Sequence, residues 1–183
     1  MPIRDRKQIE AMKALLKGHS LRDYLMFMVG ISSAVRISDI LLLKVNDVWD
    51  GRKTKAYIEL HEKKTGKYKK FPVTVNLEKA IKEYIKSTDL APSDFLFSSR
   101  KGGGAITRQH AERVLSEAWD YLGYTEPFGT HSMRKTWGYW AWQSKVDLAI
   151  IMEALNHSSI ASTKKYLGIT QEHLDEAYMS LNL

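Results

Sequence analysis

The apolar residues of this 183-residue chain recur every three or four positions almost throughout, and shift to a period of two in one place only. That single shift constrains the fold most. A period of three to four buries one stripe of a helix, whereas a period of two buries one face of a strand. Residues 5–17 read as a helix capped by Asp5, with Gln8 three residues on, a stripe of Ile9, Met12, Leu15 and Leu16, and Gly18 as its end. Ser20 with Asp23 opens a second helix carrying Leu21, Tyr24, Leu25 and Met28. A third is predicted over 38–43, where Ile40-Leu41-Leu42-Leu43 is too dense for a one-sided helix and implies burial.

The alternating stretch follows. Ala56, Ile58 and Leu60 alternate with Tyr57, Glu59 and His61, and Phe71, Val73 and Val75 alternate with Pro72 and Thr74. Lys63-Lys64-Thr65-Gly66-Lys67 between them is a turn, so the segment predicts a β-hairpin with Pro72 on an edge strand. Helical spacing then resumes from Asn76, with Leu77, Ala80, Ile81, Tyr84 and Ile85 on one face, and again from the cap Thr107 to Leu122, stopped by Gly123. Further helices are expected over 132–143, 147–156 and 159–166, with a last one opening at Thr170. The fold class is mainly α with a small antiparallel β-sheet (α+β).

Lys and Arg number 28 against 21 Asp and Glu, a net charge of +7, which favours a polyanionic partner, nucleic acid or an anionic membrane surface. No apolar run of about 18 residues exists to span a membrane, and the first residues lack the apolar stretch of a signal peptide. The absence of cysteine excludes disulfides, thiolate metal sites and a cysteine nucleophile, and fits a cytoplasmic setting. There is no internal repeat. The segment nearest to a linker is 98–105, which contains Arg100-Lys101-Gly102-Gly103-Gly104.

Several polar residues sit where the pattern does not require them. Arg36 lies between apolar segments, His131 and Arg134 are three apart and share a helix face, His157 ends a helix, and Tyr166 follows Ser162-Thr163-Lys164-Lys165. Singly, each has an ordinary reading: an arginine paired with Asp39, a surface His-x-x-Arg, a helix end, an aromatic on an amphipathic helix. Together with a hairpin lysine they are the parts needed to attack a phosphodiester without a metal. Arginine forks bind non-bridging phosphate oxygens and offset the charge that grows there. A histidine takes the proton of an attacking hydroxyl and a lysine gives one to the leaving oxygen. Tyrosine, with a reference pKa near 10, needs such help at neutral pH.

The order Val35-Arg36-Ile37-Ser38-Asp39, Lys64-Thr65-Gly66, His131-Ser132-Met133-Arg134, Leu155-Asn156-His157 and Thr163-Lys164-Lys165-Tyr166 resembles the signature of the tyrosine recombinases, or phage integrases. His157 and Tyr166 are nine apart, as in that family, and the resemblance runs from about Ile9 to Tyr178. It implies the family's catalytic-domain fold and the following roles. Arg36 and Arg134 clamp the scissile phosphate. His131 acts as base or phosphate ligand, and His157 donates to a non-bridging oxygen. Tyr166 attacks to give a 3′-phosphotyrosine, Lys64 protonates the 5′ leaving oxygen, and Asp39 orients its neighbours. No metal or nucleotide cofactor is implied. Asn156 departs from the family, which usually has glycine there. The chain is expected to be a single catalytic domain over 1–183, without the family's N-terminal core-binding domain. Rival readings are a type IB topoisomerase-like enzyme and a non-catalytic, integrase-derived DNA-binding regulator.

Residues 51–70 hold eight Lys and Arg against Glu59 and Glu62, so the hairpin is the most basic part of the chain. Lys63, Lys67 and Lys69 are predicted phosphate contacts on double-stranded DNA. Arg100, Lys101 and Arg113 flank a helix start whose Arg108 and Gln109 are candidates for base readout. Trp137, Tyr139, Trp140 and Trp142 are assigned to packing. After Tyr166, Leu174, Ala177, Tyr178 and Leu181 form an apolar stripe. The resemblance implies that this last helix docks on a neighbouring protomer in a homotetramer on DNA, the alternative being that it packs back on its own domain; a helix this short is marginal alone, so the free protein is expected to be monomeric.

Overall fold

The structure is a computed structural model that describes residues 1–100 and 102–181; Lys101 lies outside the described residues, as do the side chains of Leu174 and Ala177. The chain divides into two compact units, Met1–Trp137 and Gly138–Leu183, with the boundary inside one helix.

The first unit holds α1 (Arg6–His19), α2 (Leu21–Ser32), the short α3 (Ile37–Ile40) and α4 (Val45–Val48), strands β1 (Tyr57–His61) and β2 (Tyr68–Pro72), α5 (Val75–Lys86), α6 (Arg108–Tyr121) and the start of α7 (Thr130–Gln143). Its centre is α2. Every residue from Leu25 to Gly30 is buried, because α1, α3, α5 and α6 all pack around this helix. A helix apolar on all sides is stable only with neighbours on all sides. The caps follow the predicted chemistry: Ser20 accepts from the Asp23 amide, and Thr107 from that of His110.

Asp5 caps α1 as expected, accepting from the Lys7 amide. Three local readings change. Gly18 lies inside α1, which ends at His19, so the glycine is not a stop. The expected helix over 38–43 shortens to α3, and Leu43 instead leads into a bridge between Lys44 and Phe95. Val75 is the first residue of α5 and is exposed, because Thr74 rather than Asn76 caps that helix.

The hairpin is antiparallel, pairing Ile58 with Phe71 and Leu60 with Lys69. Ile58 and Phe71 are buried on its inner face, and Pro72 is exposed, as an edge position requires. The turn closes through the Glu62 amide to the Lys67 carbonyl (2.9 Å) and the Gly66 amide to the Glu62 carbonyl (2.7 Å), with Gly66 in the left-handed region at φ 68°.

The second unit holds the rest of α7, then α8 (Leu148–Ala154), α9 (Ile160–Leu167) and α10 (Gln171–Leu181). Helices α8 and α9 pack together over buried Ile151, Leu155 and Leu167.

Gly30 shows how tightly α2 is enclosed. A β-carbon there would run into the Met133 side chain of α7, whereas one at Gly18 would meet nothing within 4 Å. Gly30→Val is expected to cost about 1–3 kcal/mol through overpacking. Gly18→Ala should stabilise by about 0.5–1 kcal/mol through helix propensity. Urea unfolding of both variants checks the pair, and equal midpoints would contradict the packing described.

Candidate active site

The residues singled out from the sequence fall into two groups, one in each unit. In the first, Arg36 is the N-cap residue of α3 and Arg134 lies on the first turns of α7. Arg134 is buried and Arg36 is partly so. Two guanidinium groups this far from water need a counter-charge. It comes from Glu62, whose side chain is fully buried: Oε2 lies 2.8 Å from Arg36 Nη1, and Oε1 lies 3.9 Å from Arg134 Nη1. The Thr65 hydroxyl donates to the same Oε2 at 2.9 Å. One carboxylate thus ties both arginines to the turn that carries Lys64.

Asp39 anchors the other side of that turn. Its Oδ1 accepts from the Lys63 amide at 2.9 Å, and its side chain is buried. Asp39 thus bonds the turn backbone, while Arg36 takes its ion pair from Glu62. In the sequence Glu62 is only a negative charge in a basic hairpin. No residue pattern marks a carboxylate as buried one step past the end of a strand.

Lys64, Lys63 and Lys67 are exposed on the turn. Lys69 differs from them. It lies on the inner face of β2, and its ammonium donates to the Ala34 carbonyl at 3.4 Å. Burial, followed by the nearby Arg134, lowers its pKa to about 8; Glu62 and Asp39 act in the opposite sense and Arg36 in the same one. This placement was legible, since Lys69 is in phase with Phe71 and Val73, which the alternation puts on the core face.

His131 lies one turn before Arg134 on α7. Partial shielding of its ring, then the charges of Lys135 and Arg134, hold its pKa below the ordinary 6.5. It is therefore neutral at pH 7, the form that accepts a proton. The start of α7 is fixed by Glu112, which accepts from the Thr130 amide (2.8 Å) and hydroxyl (2.6 Å).

In the second unit, α8 ends in a paired motif: the Asn156 amide donates to the Glu153 carbonyl (2.8 Å) and the His157 amide to the Met152 carbonyl (3.0 Å). Such an ending requires a left-handed residue, and Asn156 sits at φ 53°. This accounts for the departure from glycine, because asparagine tolerates that region better than other residues bearing a β-carbon. His157 is set in place by this backbone. Its Nδ1 lies 3.1 Å from the hydroxyl of buried Thr163, which also donates to the Ser159 carbonyl at 3.3 Å.

Tyr166 lies in the last turn of α9, half-buried, with its ring edge-on to His157 at 4.9 Å between centroids. Gly138 of α7 lets α9 approach: a β-carbon there would lie 3.1 Å from Leu167 and 3.7 Å from the Tyr166 ring.

The predicted DNA contacts beyond the hairpin are separate from these groups. Arg108 and Gln109 are exposed at the start of α6. Arg100 and Arg113 line a cavity of about 710 Å³ between α1 and α6, where Arg113 contacts His110 and pairs with Glu117. Lys101 lies outside the described residues. No group of three or more His, Asp or Glu among the described residues is arranged to hold a metal ion, and no described helix is long and apolar enough to cross a membrane.

The sequence matches the phage integrase family over residues 4–173. The chain belongs to that family. The probable integrase/recombinase YoeC of Bacillus subtilis is 40% identical over 97% of this chain and 94% of its own length. The tyrosine recombinase XerA of Pyrococcus furiosus is 26% identical over 97% of this chain, which spans only 60% of that protein. The crystal structure of the XerH site-specific recombinase bound to palindromic difH substrate, a post-cleavage complex, shares the fold with a TM-score of 0.75 at 20% identity, over 100% of this chain and 54% of that one. The family read from the five motifs and the tyrosine recombinase catalytic-domain fold are both borne out.

Two variants test this geometry. Glu62→Ala leaves two guanidinium groups without their shared counter-ion and should cost about 3–5 kcal/mol, toward the lower end because Arg36 retains some water. Denaturant unfolding reads this, and a loss under about 1 kcal/mol would contradict the pairing. At position 156, Asn156→Gly should be neutral or slightly stabilising, while Asn156→Val should cost about 1–2 kcal/mol for a left-handed branched residue, read by the same measurement.

Proposed function

We propose that this chain is the catalytic part of a site-specific recombinase that cleaves and rejoins double-stranded DNA through a 3′-phosphotyrosine bond made by Tyr166. The observation that carries the reading is the convergence of Arg36 and Arg134 on one buried carboxylate, which holds two guanidinium forks close together and fixed. Such a pair suits the two non-bridging oxygens of a phosphodiester. XerH, with the same fold, was solved on a DNA substrate after cleavage, which makes duplex DNA the substrate class to test.

In this reading Tyr166 attacks phosphorus and the bond to the 5′ oxygen breaks. His131, neutral at pH 7, takes the tyrosine proton. Lys64, on the turn held by Glu62 and Asp39, protonates the leaving oxygen. His157 donates to a non-bridging oxygen. The phosphotyrosine retains the phosphodiester bond energy, so the reaction calls on no nucleotide, and its charge is met by arginines rather than a metal. Lys63 and Lys67 contact flanking phosphates, and Arg100, Arg108, Gln109 and Arg113 approach the duplex from the α6 side. The protein is a monomer in solution and a tetramer on DNA, joined through α10, whose Tyr178, Met179 and Leu181 are exposed.

The test is covalent capture. Nicked duplexes cut from the source genome trap a tyrosyl intermediate, because the short 5′ strand diffuses away. Wild type should form a protein–DNA adduct and Tyr166→Phe none, with DNA binding retained. Arg36→Ala or Arg134→Ala should slow adduct formation by about 10²–10³. An adduct with the Phe variant moves the nucleophile elsewhere, Tyr178 first, and no adduct with wild type sinks the reading.

A further inference from the structure

The buried charges around the arginine pair do not balance as a closed set. Arg36, Arg134 and Lys69 are the cations; Glu62 and Asp39 are the anions. With Lys69 charged the cluster carries one net positive charge, and with Lys69 neutral it carries none. A phosphodiester brings one negative charge. We propose that Lys69 is a third cation of the phosphate site, which binds the scissile phosphate together with Arg36 and Arg134 and takes up a proton as the phosphate arrives. This rests on the function proposed above and gives Lys69 a role apart from the exposed lysines of the turn.

Geometry supports it first. Lys69 is held on the inner face of β2 by its register opposite Leu60, and its ammonium is fixed at the Ala34 carbonyl, two residues before Arg36. The groups facing it come from every element around it: Arg36 and Asp39 from α3 and its cap, Glu62 from the hairpin turn, and Arg134 from α7. Position 69 is partly shielded from water, where a charge contact is stronger than at the open surface. The lysine's pKa of about 8 means that part of the free protein holds it neutral near that pH. An anion close by favours the charged form, so phosphate binding and proton uptake reinforce one another. No covalent bond is made or broken at Lys69, and the proton comes from solvent.

The probe is the nicked duplex recovered by covalent capture, made in two forms: with an ordinary scissile phosphate, and with a methylphosphonate that replaces one charged oxygen by a methyl group. Lys69→Met is the variant, since methionine keeps the stem and removes the charge. On the ordinary duplex Lys69→Met should form adduct about ten- to a hundredfold more slowly than wild type, the range for one hydrogen bond to a charged group. On the methylphosphonate the two proteins should differ by less than about threefold, because the charge that Lys69 meets is gone. Wild type at subsaturating duplex should also lose rate as pH rises through about 8, with this limb missing from Lys69→Met. Equal loss on both duplexes means that Lys69 only supports the fold and overturns the proposal, as does no loss on either, or an alkaline limb unchanged in the variant. Absence of adduct from wild type is a separate result, which removes the proposed function and this inference with it.

Discussion

A carboxylate buried between two arginines is the constraint on which the rest of the first unit depends. Glu62 makes no sense as a lone buried charge, since desolvating a carboxylate costs several kcal/mol. Arg134, itself buried, would be as costly alone. Each is stable because the other is there, with Arg36 as the third partner. The hairpin is the means of delivery. Ile58 and Phe71 fasten it to the core, and the chain then passes from β1 into the turn at the position where a side chain reaches between α3 and α7. Asp39 and Thr65 hold the turn from either side, so that its conformation is set by the charges it serves.

The second unit solves a different problem with backbone rather than charge. Its two candidate functional side chains sit beside helix ends, and both ends use a left-handed residue: Asn156 after α8 and Gly168 after α9. The first places His157 and the second closes the turn that carries Tyr166. Thr163 then joins them by meeting the His157 ring, and Gly138 admits α9 closely enough for the Tyr166 ring to stand against it. A helix end is well suited to this, because its last residue has a fixed backbone while its side chain is free of the next turn.

Much of this was legible in the sequence because it rests on period and on side-chain chemistry. The helices from Leu77, from Thr107 and from Ser159, the hairpin and the place of Arg36, Arg134, His157 and Tyr166 all follow from spacing and motif. What was not legible depends on contacts between distant residues. Nothing local distinguishes Glu62 from a solvated glutamate; only the approach of Arg36 from the cap of α3 and of Arg134 from α7 makes it a counter-ion. The helix expected over 38–43 failed for a similar reason. Leu41 and Leu43 are buried as expected while Leu42 is exposed, and Leu43 is drawn into pairing beside Phe95, a tertiary bond that propensity cannot foresee. Gly18 misled because a glycine ends a helix only where the backbone turns left-handed, and here it does not.

The hairpin's charge, read from composition as one basic patch, is in fact sorted by the pleat. Strand β2 turns Tyr68, Lys70 and Pro72 outward and Lys69 and Phe71 inward. Lys70 pairs with Glu59 across the strands at 3.1 Å, in water, where such a pair contributes little. Lys69, one residue away, stands among the buried charges. Adjacent residues of the same type therefore meet different dielectric surroundings, and burial beside Arg134 lowers the pKa of the inner one. A total of eight Lys and Arg over 51–70 describes attraction to a polyanion at a distance. For the lysines of β2, the two-residue period of the strand decides which is drawn toward the arginines and which stays in water.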